Sequence, residues 1–402
     1  MSDPSQEEDD DLAINEDEVV RVIELDDGEK DFHDSDENED DDDNEMDTDE
    51  AAAAAPTQDD SVLTFSGHRD SSVICVRIHP VNPEIVVTGG QDDRAFVWSS
   101  RDGSVILECT GHTDTVNSVG FSHDGALVAT ADMKGLIKVW RVDTGAEVWS
   151  FEADEVEWIQ WHQAAPVLLA GTRDGQVWMW KIPSGDLKTF VGYGPGASCG
   201  KFLPDGKHAC VGYEDGTLKI WDLKSNQAVC SVSGHDGHKD SVFCLDHNNS
   251  GSLILSGSGD MTAKVTNVAT GKVVSTLTCQ QSTEEDSVES VAFSKTHDYA
   301  VTGTLGGSLE IWDLPSKSVR HKCDHPHGIV KIVWSPKGSS FYTSCLDGNI
   351  RQFDSRNGQL LNTWQGHSAE ILDFDVSSDE SILVTASDDS SSKVFSLAAQ
   401  TT

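Results

Sequence analysis

Sequence features that indicate a metal centre, a disulfide-bonded fold or a membrane span are missing from the 402 residues. The nine cysteines include no Cys-x-x-Cys pair and their number is odd, so we expect neither a zinc ribbon nor a disulfide framework, and a reducing compartment. No apolar run reaches the length of a transmembrane helix, and the N-terminus has no signal-peptide pattern. We therefore expect a cytoplasmic protein, with the nucleus as a second location and peripheral contact with the cell membrane left open.

Known catalytic and nucleotide-binding motifs are also missing, because the chain has no P-loop, no GxSxG and no HExxH. Two histidine clusters, in "GHDGHKD" around His238 and "CDHPHG" around His325, suit structural roles better than metal binding. "DHNNSG" from Asp246 starts like a calcium loop, but Gly257 takes the place of the final glutamate. We expect no enzymatic activity, no cofactor and no bound metal.

Positive charge is scarce, and the formal net charge is −42. Residues 1–60 contain 28 Asp and Glu residues but only two Lys and Arg residues, which predicts a disordered acidic tail. That tail serves either as a solubilising segment or as a docking arm for a basic partner, and its "EVVRVIELDD" stretch, Glu18 to Asp27, has the pattern of a short strand. Such a charge disfavours direct binding of nucleic acid or anionic lipid.

What the chain does contain is an internal repeat of 40 to 46 residues. Each repeat alternates apolar and polar residues in short runs broken by turn residues, as "VNSVGFS", "LVATA" and "LIKVW" do in the second. The repeats end, in order, at Trp98, Trp140, Trp180, Trp221, Thr266, Trp312, Phe353 and Phe395. Eight such units predict an all-β, eight-bladed propeller of four-stranded sheets.

A Gly-His pair precedes several repeat ends at a fixed interval, as in His112, 28 residues before Trp140. With the regularly placed Ser/Thr and Asp residues, this pattern resembles the WD-repeat family over residues 61–402. The resemblance implies a hydrogen-bonded chain of four side chains inside each blade. Only the first repeat has all four at the expected positions, listed here: His68, Thr88, Asp92 and Trp98. The second repeat has Lys134 at the Asp position, and the third has no Gly-His.

The last repeat ends without a fourth strand, whereas "SVLTF", Ser61 to Phe65, precedes the first. We predict that this N-terminal strand closes the final blade and leaves no free sheet edge. The expected division is thus a tail, residues 1–60, and a propeller, residues 61–402. In the third repeat, Trp158 and Trp161 either replace the packing of the missing histidine or form an exposed aromatic contact at the channel rim.

In WD-repeat propellers, the loops that carry the Gly-His and the Asp face one surface, called the top. Here these loops and the residues beside them are rich in acids, which form either a solvated rim or a site that binds a Lys/Arg-rich segment through carboxylate pairs. The candidate partner-binding residues are Asp114, Asp154, Glu155, Glu157, Glu214, Asp240, Glu284, Glu285, Glu289 and Glu370.

A closer resemblance is carried by Ser150–Phe190, by "GYEDGTLKIWDLK" and by "GHSAEILDF". These stretches resemble a WD-repeat group that includes dedicated chaperones of a large-subunit ribosomal protein, L-ten, and an animal branch associated with cell migration and angiogenesis. The resemblance implies a monomeric chaperone that holds the basic N-terminal segment of a nascent ribosomal protein. The alternative that it implies is a signalling scaffold acting through protein contacts.

Overall fold

Short runs of alternating apolar and polar residues, separated by Gly- and Asp-containing turns, form strands rather than helices. The computed structural model describes residues 58–192, 194–280 and 286–398. These residues form eight four-stranded antiparallel sheets, which confirms the predicted eight-bladed propeller. The expected tail, apart from residues 58–60, lies outside the described residues, and so does the Glu18–Asp27 element.

Seven blades are consecutive meanders of four strands, and the eighth is completed by β1 (Leu63–Phe65). The inner strands, which contact one another around the channel, begin blades 1 to 8 in order. They are β2 (Val73–Ile78), β6 (Val116–Phe121), β10 (Val156–Trp161), β14 (Cys199–Phe202), β18 (Val242–His247), β22 (Val288–Phe293), β26 (Ile329–Trp334) and β30 (Ile371–Val376).

The remaining strands follow outward in each blade. The second strands are β3 (Ile85–Gly90), β7 (Leu127–Asp132), β11 (Val167–Thr172), β15 (His208–Gly212), β19 (Leu253–Ser258), β23 (Tyr299–Thr304), β27 (Ser340–Cys345) and β31 (Ile382–Ser387). The third strands are β4 (Ala95–Ser99), β8 (Leu136–Arg141), β12 (Val177–Lys181), β16 (Leu218–Asp222), β20 (Thr262–Asn267), β24 (Leu309–Asp313), β28 (Ile350–Asp354) and β32 (Ser392–Ser396). The outer strands of blades 1 to 7 are β5 (Val105–Cys109), β9 (Glu147–Glu152), β13 (Asp186–Phe190), β17 (Gln227–Val232), β21 (Val273–Thr278), β25 (Ser318–Cys323) and β29 (Leu360–Trp364).

Strand β1 closes the ring by pairing antiparallel with β32, with Leu63 opposite Val394 and Phe65 opposite Ser392. The Phe65 ring stacks on the Trp98 ring of blade 1, with the centroids 4.5 Å apart. The first described strand therefore joins the last blade to the first, which confirms the predicted closure. It covers the edge of β32 but is itself the outer strand of that sheet, so the expectation of no free sheet edge is wrong.

The apolar core lies between neighbouring blades. In one cluster, Val87 and Val97 of blade 1 pack with Val116, Val119 and Val128 of blade 2. Each blade thus buries its faces against the next, as expected for repeats that cannot form a core alone. No helix among the described residues is long and apolar enough to cross a membrane.

The antiparallel order decides which loops share a surface. An inner strand starts at the same end of the propeller at which the second strand finishes, because successive strands run in opposite directions. The loop before each inner strand and the turn between the second and third strands therefore lie at one end, which we call the upper face. The other turns form the lower face.

Seven of the eight inner strands contain a β-bulge, a register shift between their first and third residues. A bulge redirects the extra side chain, here the second residue of the strand. These bulge residues, each at least partly exposed, are Ile74, Asn117, Glu157, Phe243, Glu289, Val330 and Leu372. They mark the rim of the channel at the upper face, since they stand one residue from the start of each inner strand.

Candidate functional site

In blade 1, four side chains hold the loop that precedes β2 against the body of the blade. Nδ1 of the buried His68 lies 2.8 Å from Asp92 Oδ1, and Nε2 lies 2.9 Å from Thr88 Oγ1. The indole Nε1 of Trp98 donates to the same Thr88 hydroxyl at 3.3 Å. Because each polar group of this hydrogen-bonded set has a partner, the loop before β2 is positioned without an unpaired buried group.

Blade 2 contains a similar chain, so the expectation that only the first repeat has all four groups is wrong. Asp132, not the residue at the position of Lys134, supplies the carboxylate: its Oδ2 lies 3.1 Å from His112 Nδ1. His112 Nε2 lies 2.7 Å from Thr130 Oγ1, which accepts from Trp140 at 3.4 Å. The missed signal was an Asp in the strand itself, two residues earlier than the turn position.

The environment of Asp132 favours its charged form. Burial alone would raise the pKa of this carboxyl, but hydrogen bonds from His112 and from the backbone N–H groups of Leu136 and Thr113 outweigh burial and lower the pKa. Lys134 points elsewhere, since its Nζ donates to the Thr113 carbonyl at 2.9 Å. The carboxylate of blade 2 therefore remains charged and stabilises both the loop and the turn.

Blades 5 and 8 keep the histidine and the carboxylate but not the tryptophan. His238 lies 3.1 Å from Asp260 and 2.8 Å from Ser256, although Thr266 takes the tryptophan position. His367 lies 2.7 Å from Asp389, and Phe395 takes the tryptophan position there. The loop before the inner strand is thus fixed by the histidine, the carboxylate and a Ser or Thr hydroxyl, without a tryptophan.

Blade 7 departs further from the pattern. His325 Nε2 lies 3.2 Å from Thr343 Oγ1, but Nδ1 faces the His327 carbonyl at 2.7 Å rather than Asp347. Asp347 instead accepts hydrogen bonds from Nη1 and Nη2 of Arg351. Burial lowers the pKa of His325 to about 4, so this ring is neutral at pH 7.

Blade 6 replaces the histidine by a thiol. Cys279 Sγ donates to Thr302 Oγ1 at 3.4 Å, and Trp312 Nε1 donates to the same hydroxyl at 2.9 Å. Burial raises the pKa of Cys279 to about 12, which keeps the thiol protonated as a donor.

Blade 3 has no histidine at the Gly-His position, and two of its tryptophans pack against neighbouring blades. The Trp158 indole covers Gly171 in its own blade and Gly200 in blade 4, where an added Cβ atom would lie 2.4 Å and 2.0 Å from the ring. Trp158 Nε1 donates to the Ala197 carbonyl at 2.8 Å, and Trp161 Nε1 donates to the Gly120 carbonyl at 3.0 Å. Both rings pack between blades rather than forming a free contact at the rim. Trp158 lies on the blade 4 side, away from Trp180 and Ala170, so it does not take the place of the missing histidine.

An acidic cluster lies on the upper face of blades 3 and 4. We call it the acidic arc and define it as Asp154 and Glu155 in the loop before β10, the bulge residue Glu157, and Glu214 in the turn after β15. All four are exposed. The only guanidinium described at this cluster is Arg173, whose Nη1 lies 3.2 Å from Glu155 Oε2. Partial burial raises the pKa of Glu157, and the charges of Glu214 and Glu155 raise it further against the effect of Arg173.

Backbone contacts hold the acidic arc in place. Gly175 has φ +81°, and a Cβ atom there would lie 2.3 Å from the Pro195 carbonyl, so only glycine lets the blade 3 turn approach the loop of blade 4 this closely. In that loop the Gly196 N–H donates to Glu214 Oε2 at 3.1 Å. The carboxylates of two blades are thereby brought within electrostatic reach of one another.

Four of the other predicted partner-binding residues also lie on the upper face but are separate from the acidic arc. Lys134 Nζ lies 3.8 Å from Asp114, and Asp240 accepts from the Ser241 N–H at 2.7 Å. Glu289 is a bulge residue that accepts from Ser287, and Glu370 is exposed in the loop before β30. Glu284 and Glu285 lie outside the described residues.

Deeper in the channel, charges are paired. Asp373 accepts from Arg77 and, at 2.6 Å, from Lys331 Nζ, while Asp246 accepts from Lys201 at 2.7 Å. Burial raises the pKa of Asp373, but Arg77 and Lys331 outweigh it and lower the pKa. In the described part of the chain, no group of three or more His, Cys, Asp or Glu side chains is placed to hold a metal ion. Unsatisfied negative charge is therefore concentrated at the rim.

Comparison with known proteins places this fold in a family. Residues 158–398 match the model of the nucleolar protein 10-like N-terminal domain, a β-propeller, and residues 59–99 and 103–141 match the WD domain, G-beta repeat. The Chaetomium thermophilum Sqt1 structure bound to the N-terminus of ribosomal protein L10 superposes with a TM-score of 0.76 at 23% identity, covering 84% of this chain and 100% of that one.

Sequence relatives are closer. The chain is 26% identical over 350 residues to the Saccharomyces cerevisiae ribosome assembly protein SQT1, covering 79% of this chain and 80% of the yeast protein. It is 50% identical over 348 residues to the Homo sapiens angio-associated migratory cell protein, covering 84% of this chain and 80% of the human protein. With its eight blades and its WD-type hydrogen-bonded chains, this protein belongs to the angio-associated migratory cell protein family of WD-repeat propellers.

Proposed function

We propose that the chain is a non-enzymatic chaperone whose upper face captures the basic N-terminal segment of a nascent large-subunit ribosomal protein. The observation that carries this proposal is the acidic arc, in which Glu155, Glu157 and Glu214 are crowded together with one guanidinium. The raised pKa of Glu157 reflects partial burial and this crowding. An incoming Lys or Arg side chain relieves the repulsion, so the free site favours a cationic partner.

The physical properties of a basic segment match those of the arc. An arginine side chain forms two parallel hydrogen bonds with one carboxylate, which sets orientation as well as affinity. The formal net charge of −42 attracts positive segments over long range and repels other acids. Segments of this kind are vulnerable before assembly, because they have no folded core of their own.

The relatives support the same proposal. The yeast relative is named a ribosome assembly protein, and the Chaetomium thermophilum Sqt1 structure contains the N-terminus of ribosomal protein L10. We extend that partner class to this chain because the negative charge of the acidic arc is complementary to the positive charge of such a segment.

A co-translational pulldown tests the proposal. The tagged full-length chain is captured from lysate, and the associated messenger RNAs are sequenced. We expect enrichment of one ribosomal-protein message, lost in the triple variant Glu155→Lys, Glu157→Lys, Glu214→Lys. The matched control reverses three exposed acids of the lower face, Glu84, Asp143 and Asp186, and keeps the message.

The alternative function is a signalling scaffold in cell migration and angiogenesis, which the name of the human relative favours. A scaffold of that kind binds through apolar or mixed contacts that salt hardly weakens, whereas exposed charge pairs are screened. No enriched message, with signalling proteins recovered in a salt-resistant complex, would overturn the chaperone proposal and support the scaffold.

A further inference from the structure

The upper face carries a second feature, a set of apolar side chains that the acidic arc does not use. We call it the apolar arc; its members are Leu305, Val330, Leu346, Leu372 and Ile74, on blades 6, 7, 7, 8 and 1. Three of them, on β26, β30 and β2, are bulge residues. Leu305 is 42% exposed, and the other four are half-buried. Apolar side chains that remain exposed together at a functional face mark a contact site.

Neighbouring members of the apolar arc adjoin one another. Gly328, next to β26, packs so closely that an added Cβ atom would lie 2.3 Å from the Leu305 carbonyl and 2.6 Å from Leu346 Cδ1. Val330 and Leu372 line the same cavity of about 410 Å³ in the channel. The five residues thus form one side of the channel mouth.

The two arcs lie on opposite sides of the ring. In a closed ring of eight blades, blades 3 and 4 stand four positions from blades 7 and 8. The bulge position shows the contrast directly: it is Glu157 in blade 3 but Val330 in blade 7. The bulge position is therefore acidic in blade 3 and apolar in blades 7, 8 and 1, although the exposed Glu370 of blade 8 also lies on the upper face.

Building on the proposed function, we infer that the captured segment crosses the channel mouth and is amphipathic. It places basic side chains on the acidic arc and one aliphatic or aromatic side chain on the apolar arc. Charge pairs at an exposed rim are weak and screened by salt, so they distinguish poorly between basic segments. An apolar contact on the far side adds affinity that salt does not remove, and it selects among segments of equal charge.

The test compares the binding of two kinds of synthetic peptide to the full chain. The reference peptide carries arginines separated by Gly and Ser. Each leucine peptide has the same arginines and one leucine, which replaces a Gly or Ser at a different position in each peptide. We expect the best leucine peptide to bind about tenfold tighter than its apolar-free counterpart, as burial of one leucine allows. Both peptides should show the same dependence of affinity on salt, because their charges are equal.

Variants then locate the contact. In the double variant Leu346→Ala, Leu372→Ala we expect the tenfold difference to disappear while the salt dependence is kept. The matched control, Leu360→Ala with Leu361→Ala, removes two exposed leucines of the outer strand β29 and should keep the difference. Equal melting temperatures verify that both variants fold.

The outcomes separate this inference from the function on which it rests. If all peptides bind equally well to the unmodified chain with the same salt dependence, the apolar arc plays no part, and the proposed function stands. If no peptide binds at low salt, the proposed function is wrong, and this inference with it. The comparison on the unmodified chain does not depend on how any variant folds.

Discussion

Blade 1 and blade 3 close the same space in different ways. In blade 1 the buried His68 joins Asp92, Thr88 and Trp98 through hydrogen bonds. In blade 3 the third-strand Trp180 remains, but Ala170 replaces the Ser/Thr, and Trp180 Nε1 has no hydrogen-bond partner among the described residues. Aromatic packing replaces the polar chain there: the rings of Trp149 and Phe151 lie 5.4 Å and 5.0 Å from the Trp180 ring.

The exchange has a consequence for the upper face. The loop before β2 spans residues 66–72 and turns its histidine inward, whereas the loop before β10 spans only residues 153–155. With no histidine to bury, this short loop presents Asp154 and Glu155 to solvent. The absence of the structural histidine thus coincides with the position of the acidic arc.

Removing Trp158 should have the largest effect on stability. Trp158→Ala leaves a cavity between blades 3 and 4, and we expect a loss of about 3–5 kcal/mol in the free energy of unfolding. Denaturant titration measures it. A loss below about 1 kcal/mol would mean that Trp158 does not fill the space between blades 3 and 4.

Gly200→Ala sharpens this test, because the new methyl group meets the Trp158 ring. Overpacking should cost about 1–3 kcal/mol in the unmodified chain and less in the Trp158→Ala background. Equal losses in both backgrounds would contradict the contact.

His68→Ala breaks the other arrangement. It leaves Thr88 and Asp92 without their buried partner, and we expect a loss of about 1–3 kcal/mol, smaller than for Trp158. The control His235→Ala removes a fully exposed ring and should leave the melting temperature unchanged. If the two histidine variants melt alike, the hydrogen-bonded chain does not stabilise blade 1.

Asp132→Asn tests the blade 2 chain and its dependence on pH. The folded-state pKa of Asp132 is lowered, so its stabilisation is present above the unfolded pKa of about 3.9 and is lost as pH falls through the folded pKa. We expect the variant to be about 1–2 kcal/mol less stable at pH 7, with the difference shrinking below about pH 4.

Unfolding titrations of both proteins from pH 7 to pH 3 make this comparison. The control Lys134→Ala should differ little from the unmodified chain at any pH. A larger loss of stability for Lys134→Ala than for Asp132→Asn would contradict the assignment of Asp132 as the partner of His112.

Thr266→Val should have the smallest effect. The buried Thr266 hydroxyl has no hydrogen-bond partner among the described residues, so replacing it by a methyl group leaves nothing newly unpaired. We expect a change between zero and a gain of about 1 kcal/mol, measured by thermal melting. A clear loss would show that the hydroxyl has a partner.

Much of the fold was predictable because it depends on local pattern. Period-2 alternation and the 40 to 46 residue spacing indicated the number of blades, and the strand at Ser61–Phe65 followed from the missing fourth strand of the last repeat. The position of Asp132 was not predictable from spacing alone. A carboxylate reaches the same histidine from the end of a strand or from the turn, and only the backbone path distinguishes them.

The site was predictable in its composition but not in its grouping. Reading the loops identified acids such as Glu155 and Glu157, yet nothing in their order along the chain indicates that they cluster with Glu214, which lies on the next blade. The apolar arc had no local signal either, because Leu305, Val330 and Leu372 belong to three different repeats.

By itself, the sequence determined the number of blades, the strand pattern and the excess of negative charge, because each depends on residues close together in the chain or on composition alone. The tertiary structure decided which side chains meet. Ring closure brings distant repeats side by side, and the bulges turn one residue of each inner strand except β14 toward the rim. Apolar contact acts over a few ångströms and screened electrostatic coupling over about 8–10 Å, so the two arcs exist only once the ring is closed.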